Sequence, residues 1–377
     1  VDKAESIAHF QEHVVWQERA NMQLVLERDY QLHKERLAAD FVTSFQQICR
    51  QIRDAQAREE KGAIGYIAYS MLRTELLEGR YIYRVEALDS GWVFDRHPYV
   101  LEYDAGWAFQ HFDTLRSRMM AASRMYGGRV SVPVIERMLL TEAIAVHQYV
   151  IALARYALPQ AVELEEYRDI AKEPEFEIRV GEYMDLSEAV FKQYKCERDS
   201  ASVRAWLEDR EEAAYAYESY RNMDLQNGDY GGVSFQFSVF NQCDLSHSSL
   251  QDSILIGSRW HDTALVGTDF SRSQVHGVEF RDCDLRGADF RGAAGANGWK
   301  DALFLRFPGL SAFRFPGSNL EGADFTGASL YGADFSEANV VDTVFEGADL
   351  TNAVFSQRQR EALRLDPQQW EQTLWKT

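Results

Sequence analysis

Residues 239–290 read VFNQCDLSHSSLQDSILIGSRWHDTALVGTDFSRSQVHGVEFRDCDLRGADF. Counting in fives from Phe240 gives Leu245, Leu250, Leu255, Trp260, Leu265, Phe270, Val275, Phe280, Leu285 and Phe290, with no polar exception. Two residues before each of these stands a mostly small one, from Cys243, Ser248 and Ser253 through to Ala288. The register reaches back through Phe235 and Tyr230 to Leu225. It resumes as Leu320, Phe325, Leu330, Phe335, Val340, Phe345, Leu350 and Phe355. A period of five fits neither the 3.6-residue turn of a helix nor the two-residue alternation of a strand. It fits a coil in which each pentad forms one side and then turns, with the large residue stacked inside and the small one at the crowded corner. Self-similarity over this many units denotes a solenoid.

Within the run, Asp324-Phe325, Ala333-Asp334-Phe335 and Ala348-Asp349-Leu350 resemble the A(D/N)LXX signature of the pentapeptide-repeat family. The resemblance covers residues 221–355, about a third of the chain. It implies a right-handed quadrilateral β-helix with four pentads per coil. The best-understood members of that family mimic the charge and shape of duplex DNA, bind DNA gyrase and protect it from quinolones or peptide toxins. The resemblance therefore implies a protein partner, with a topoisomerase as the first candidate. It also implies a homodimer contact through the C-terminal segment.

A coil of four pentads would stack neighbours roughly 4.8 Å apart. Cys243 and Cys283 then lie two coils apart, roughly 10 Å, whereas a disulfide tolerates about 7 Å between Cα atoms. They are expected as interior fillers. The same arithmetic sorts the acids that precede each centre. In the first block, Asp224, Asp244 and Asp284 share one face, Asp229, Asp269 and Asp289 share the adjacent one, only Glu279 falls on a third, and none on the fourth. Asp suits the turn at this position, which accounts for the residue type. The sidedness points instead to a partner-binding acidic edge.

Residues 291–317 break the pattern. Gly295 and Lys300 take central positions, while Leu303 and Phe313 stand where small residues belong. Two Phe-Pro-Gly turns suggest a loop bulging from the coil. Trp299, Phe304, Arg306, Phe307 and Arg314 give it the aromatic-plus-arginine composition of a binding hot spot. Open coil ends need covering, and residues 356–377 (SQRQREALRLDPQQWEQTLWKT) are expected to supply a capping helix through Leu363, Leu365, Trp370, Leu374 and Trp375.

Residues 1–220 read as a mainly α-helical domain with a β-hairpin near 80–103, so the fold class is α+β. Helices are expected over 4–60, 106–125, 132–158 and 200–220, the last leading into and capping the first coil. The hairpin is read as Arg80 to Leu88, a turn at 89–91, and a return strand at Trp92–Asp95. Its Tyr81, Tyr83, Arg84, Glu86, Asp95, Arg96 and His97 could line a cleft, although alternation across the strand explains them equally well. His9-Phe-Gln-Glu12-His13 matches the HxxEH pattern of inverted zinc peptidases, with Glu5 and Glu86 as further candidate ligands. Two histidines on a solvated helix face are the better reading, and no metal is expected. Glu142 and His147 fall on different faces of a buried helix, and His147 reads as a core histidine bonded to a neighbour.

Net charge is −19, with 18 acids against 9 bases in residues 221–355. Phosphate binding needs concentrated Lys and Arg, so direct nucleic-acid binding is not expected. A partner that itself binds something anionic is favoured. No stretch reaches the ~18 apolar residues of a membrane helix, the start lacks a signal-peptide layout, and four cysteines make no disulfide framework. A cytoplasmic protein is expected. There is no glycine-rich phosphate loop, nucleophile elbow or cysteine cluster, so no cofactor is implied. The function read from this is non-enzymatic docking of a protein partner. The alternative is an enzyme or enzyme accessory acting on a peptide substrate, with its site in the N-terminal domain or at the domain junction.

Overall fold

The computed structural model describes residues 2–194, 199–211, 215–296 and 307–377. The chain divides into two compact units, residues 1–191 with 306–309, and residues 192–305 with 310–377. Among the described residues no helix is long and apolar enough to cross a membrane.

In the first unit, α1 (Lys3–Phe10) runs through a single π-helical stretch, Gln11–Val15, into α2 (Trp16–Ala57). A start at Asp2 is secured by a capping box with Glu5. One stripe of α2, including Leu26, Leu37, Phe41, Phe45, Ile48 and Ile52, is buried, as apolar residues at helical spacing require. After α3 (Phe112–Ser123) comes α4 (Val132–Ala161), with Pro133 in its first turn, where a missing N–H costs nothing.

The remainder of this mainly helical unit holds more strand than the one hairpin expected. Five strands, β1 (Ile64–Met71), β2 (Ile82–Leu88), β3 (Tyr99–Asp104), β4 (Lys172–Glu182) and β5 (Ser187–Tyr194), form one sheet in the order β3-β2-β1-β4-β5. β2 pairs antiparallel with β1 and β3, and β1 pairs parallel with β4. The return strand of the hairpin is β3, and Trp92–Phe94 is a 3₁₀ turn. The reason is a buried ion pair. Asp95 accepts the backbone N–H groups of Asp89 and His97 at 2.9 and 2.8 Å and binds the Lys61 ammonium, so residues 89–97 fold around its carboxylate instead of extending.

His147 is buried in α4, stacked on Tyr83, whose hydroxyl is hydrogen-bonded to its Nδ1 at 2.7 Å. His9 and His13 stack at 4.1 Å on an exposed helix face, His9 lies 2.9 Å from the Tyr126 hydroxyl, and Glu86 is bound by Arg84. Among the described residues no three His, Cys, Asp or Glu side chains gather to hold a metal.

The second unit opens with α5 (Ser200–Glu208), shorter than the helix expected to 220. Arg210 turns left-handed, and by Tyr220 the chain is already on the five-residue pattern, in β6 (Ser219–Arg221). From there each pentad up to Gln274 pairs in parallel with the one twenty residues on. β6 pairs with β7 (Val239–Asn241), β7 with β8 (Arg259–His261), and β8 with β9 (Glu279–Arg281). The other three faces carry matching bridges, such as Asp224 to Asp244, Asp229 to Ser249 and Ser234 to Ile254.

The central residues stack inside. One column runs Tyr220, Phe240, Trp260, Phe280, Phe315, Phe335 and Phe355, with centroid spacings from 3.7 to 5.7 Å. The small residues are buried at the corners, where hydroxyls replace lost water. Ser248, Thr268 and Thr343 each donate to a carbonyl one coil earlier, at 2.8 to 2.9 Å. Cys243 and Cys283 are free and buried, and burial pushes the Cys283 thiol up to about 12.

The interruption is narrower than 291–317. Glu279 pairs with Arg314, thirty-five residues on instead of twenty, so one coil carries fifteen extra residues and the ladder holds through Ala294 and resumes at Arg314. Two breaches of the pattern compensate each other. Gly295 leaves the interior empty, and Phe313, at a small-residue position, fills it. A Cβ on Gly295 would lie 2.8 Å from the Phe313 ring, and Phe313 is fully buried.

Two outcomes follow. Phe313→Ala should cost about 3–5 kcal/mol in urea unfolding, and Gly295→Leu should destabilise by overpacking. The double variant should be less damaged than the sum, because each change makes room for the other. In the first unit, burial lowers the His147 pKa from its ordinary value to about 4. The unfolded chain takes up a proton near pH 6.5 while the folded one does not, so stability falls as pH drops between those values. Relative to His147→Gln, the wild type should lose about 3 kcal/mol of unfolding free energy across that window.

Candidate partner-binding faces of the coil

The outer surface is set by how each pentad turns. In Asp244-Leu245-Ser246-His247-Ser248 the Leu245 carbonyl accepts the Ser248 N–H at 3.1 Å, and His247 between them has φ 60°. Asn227, Gly232, Phe237, Gln242, His247, Asp252 and Gly257, five apart, all have φ between 54° and 75°. This places a left-handed residue at the third position of these turns and of most others in the run, Glu337 being an exception. Gly, Asn and Asp tolerate that conformation best, but Phe237, Gln242, His247 and Arg272 adopt it too, so its sequence signal is less regular than that of the apolar centres.

The acid before each centre has a structural task. Asp244 accepts the Ser246 N–H at 2.9 Å and Asp269 the Ser271 N–H at 2.8 Å. Asp224, Asp229, Asp284 and Asp289 each do the same with the residue two positions on, at 2.9 to 3.3 Å. These are Asx turns, in which the carboxylate imitates a backbone acceptor.

The register also stacks these acids. Asp224, Asp244, Ala264, Asp284, Asn319 and Asn339 bridge in succession on the first face, and Asp229, Ser249, Asp269, Asp289 and Asp324 on the second. With the flanking outward residues, the first face carries Asp224, Asp244, Asp284, Glu321 and Asp342 against Arg286. The second carries Asp229, Asp252, Asp269, Asp289, Asp324 and Glu346 against Arg272 and Arg291. None of these acids is buried. The third face is nearly uncharged, with Asp349. The fourth balances Asp262, Glu279, Asp282, Asp334 and Glu337 with Arg221, Arg259, Arg281 and Arg314. Charge is therefore sided.

Part of it is compensated. Asp229 pairs with Arg210, Asp252 with Arg272, Asp284 with Arg286 and Asp289 with Arg291. The Arg286 guanidinium holds the Asp284 carboxyl below the ordinary carboxylate range. At Asp289 burial pulls upward, but the hydrogen bonds and charge of Arg291 prevail and the carboxyl again lies low. Asp224, Asp244, Asp269, Asp324, Asp342, Glu321 and Glu346 have no ion-pair partner among the described residues.

Two described residues of the aromatic segment lie off this surface. Phe307 is buried in the first unit, and Arg314 lies on the fourth face, bound to Glu279 with an Nε–Oε2 distance of 2.7 Å. Trp299, Phe304 and Arg306 lie outside the described residues.

Family models for a pentapeptide repeat region and for pentapeptide repeats match residues 219–306, and 310–340 with 328–357. Residues 219–357 are a pentapeptide-repeat region. No family model matches the N-terminal part, and no curated protein matches the chain. Among solved structures the chain is similar to QnrB1, a plasmid-mediated fluoroquinolone resistance protein, at 22% identity over 43% of this chain and 74% of that one, TM-score 0.28. It is similar also to HetL of the cyanobacterium Nostoc sp. strain PCC 7120, a pentapeptide repeat protein involved in regulating heterocyst differentiation, at 12% identity over 42% and 98%, TM-score 0.16. A third is Rfr23 of the cyanobacterium Cyanothece 51142, at 18% identity over 46% and 99%, TM-score 0.13.

The ends of the pentapeptide-repeat region are closed by polar side chains that the apolar pattern did not reveal. Gln359 donates from Nε2 to the carbonyls of Phe335 and Ala338, both at 2.7 Å, and Gln369 to those of Phe345 and Ala348, at 2.7 and 3.0 Å. β10 (Val354–Ser356) pairs with β11 (Leu374–Lys376), which follows the single-turn α6 (Pro367–Gln372). At the other end Arg204 of α5 donates to the Gln226 carbonyl at 2.7 Å. In the first unit a cleft of about 410 Å³ is lined by Glu18, Met22, Leu24, Val25, His111, Thr114, Leu115 and Arg118. Beside it His111 Nε2 stands 2.9 Å from Asp29, whose carboxyl this bond holds below its ordinary range.

Because Asn can make the same Asx turn, Asp244→Asn and Asp269→Asn should remove charge and leave stability within about 0.5 kcal/mol. Asp244→Ala and Asp269→Ala should each cost about 1 kcal/mol by losing the turn bond. Urea unfolding of the four variants checks both statements.

Proposed function

We propose that the repeat region is a right-handed quadrilateral β-helix whose first two faces dock a basic surface of a protein partner, without catalysis, in the cytoplasm. The observation that carries this is the unequal charge: eleven acids against three arginines on two adjacent faces, and near balance on the other two. Carboxylates held at fixed coil spacing produce a potential that reinforces along the column, which steers a basic partner and fixes its register. Asp224, Asp244, Asp284, Asp229, Asp269 and Asp289 are the proposed contacts, with Trp299, Phe304 and Arg306 contributing from the insertion. Surfaces built to hold nucleic acid are rich in Lys and Arg, so a nucleic-acid enzyme fits an acidic column. The family resemblance makes DNA gyrase the first partner to test.

A second reading, an enzyme or enzyme accessory acting on a peptide, is favoured by the cleft in the first unit with its His111–Asp29 pair. The two readings separate in one experiment. Immobilised full-length protein and a variant with all six contact aspartates changed to Asn are exposed to lysate of the native cell at low and high salt. A basic nucleic-acid enzyme should be retained by the wild type at low salt, released at high salt, and retained roughly tenfold less by the variant, a difference of about 1.4 kcal/mol. If both proteins retain the same partners equally, docking through the acidic faces fails.

A further inference from the structure

In the first unit a turn of the chain at residues 307–309 is held by buried charge. Besides residues 1–191 this unit includes 306–309, and two charged side chains of α2 converge on Gly309. Glu27 and Lys34 are seven residues apart, hence two turns along one helix face, and each is only 7% exposed. Burying an ammonium and a carboxylate is costly unless both find polar partners. Lys34 Nζ donates to the Gly309 carbonyl at 3.1 Å, and the Gly309 N–H donates to Glu27 Oε2 at 3.2 Å. One charged pair thus reads both backbone groups of a single residue.

The site is also selective in shape. Gly309 has φ +72°, and a Cβ there would lie 2.6 Å from the Tyr30 ring and 3.3 Å from Ala152, so only glycine fits. Phe307 is 6% exposed, with the Arg155 guanidinium 5.8 Å from its ring centroid. Proline between them presets the turn. The three residues are therefore specified by different means: an aromatic seat, a fixed φ, and a backbone clamp with no room for a side chain. The other Phe-Pro-Gly, at 315–317, places Phe315 inside the coil, where it is unavailable.

We propose that this face of α2 and α4 is a receptor for Phe-Pro-Gly turns, occupied here by the chain's own residues 307–309, which a partner protein presenting the same turn displaces. The inference is independent of the acidic faces. A covalently attached occupant acts at an effective concentration of about a millimolar, so a free peptide binds measurably only once the internal turn is removed.

The test is fluorescence anisotropy with a labelled Leu-Arg-Phe-Pro-Gly-Leu-Ser peptide and full-length protein. Gly309→Val, which expels the internal turn, and Phe307→Ser, which weakens its seat without introducing a clash, should both bind the peptide at least roughly tenfold tighter than the wild type. Adding Lys34→Met to either, or replacing the peptide's glycine by alanine, should abolish the gain. Failure of both variants to bind overturns the proposal. Binding that the alanine peptide or Lys34→Met leaves unchanged overturns it equally, since the backbone clamp would then not be the recognition element.

Discussion

The repeat region depends on one constraint: the backbone must turn at every fifth residue, nearly always through a left-handed residue, so that each pentad pairs with the one a coil away. Once that corner is fixed, the central side chain has only the interior to occupy, and its backbone N–H meets a carbonyl of the next coil, as Leu245 meets that of Ala264 at 2.9 Å. Aromatic columns follow because centres twenty residues apart are forced into register. The Asx turn follows because the residue before the centre faces outward beside a free N–H. Stacked acids are then inevitable wherever Asp recurs at a multiple of twenty, and the surface charge inherits the geometry of the backbone.

The same constraint explains how the coil tolerates fifteen extra residues. Pairing is restored at Arg314 opposite Glu279, so the ladder continues on its original faces. The local cost falls on the interior at Gly295, and Phe313 meets it from a position that elsewhere takes mostly Ser, Thr, Ala or Cys. The ends face a different problem, because carbonyls with no further coil to accept them must be satisfied by side chains. Gln359 and Gln369 do this with two donors each, buried at 9% and 5% exposure.

Most of the coil was legible because its signal is local and repeats: apolar centres, small neighbours and the assignment of aspartates to faces all follow from counting. The turn residues at Asn227, Gly232 and Asp252 carry a weaker signal in their tolerance of positive φ, because Phe237, Gln242 and His247 hold the same place in other turns. The capping glutamines could not be read, since a glutamine becomes a cap only through carbonyls more than twenty residues away. In the N-terminal unit, α2 and α4 were legible from their apolar stripes. The sheet was not, because β1 and β4 are parallel partners about a hundred residues apart and each needs the other to become a strand. Phe176, Ile178 and Val180, buried in alternation on β4, were a usable signal. The hairpin was misread because Asp95 looks like a strand end in the sequence. In the structure it is the acceptor around which the loop closes.

The aspartates before the centres on the first two faces serve the fold through their turns, and asparagine at the same position would serve it as well, as Asn319 and Asn339 do with the N–H groups of Glu321 and Val341. The excess of aspartate over asparagine on those faces is therefore a matter of charge. The most direct measurement is the binding constant of the captured partner as a function of salt concentration. A steep loss of affinity with added salt, flattened when the six aspartates become asparagines, is the expected result. Affinity indifferent to salt in the wild type would contradict docking by charge.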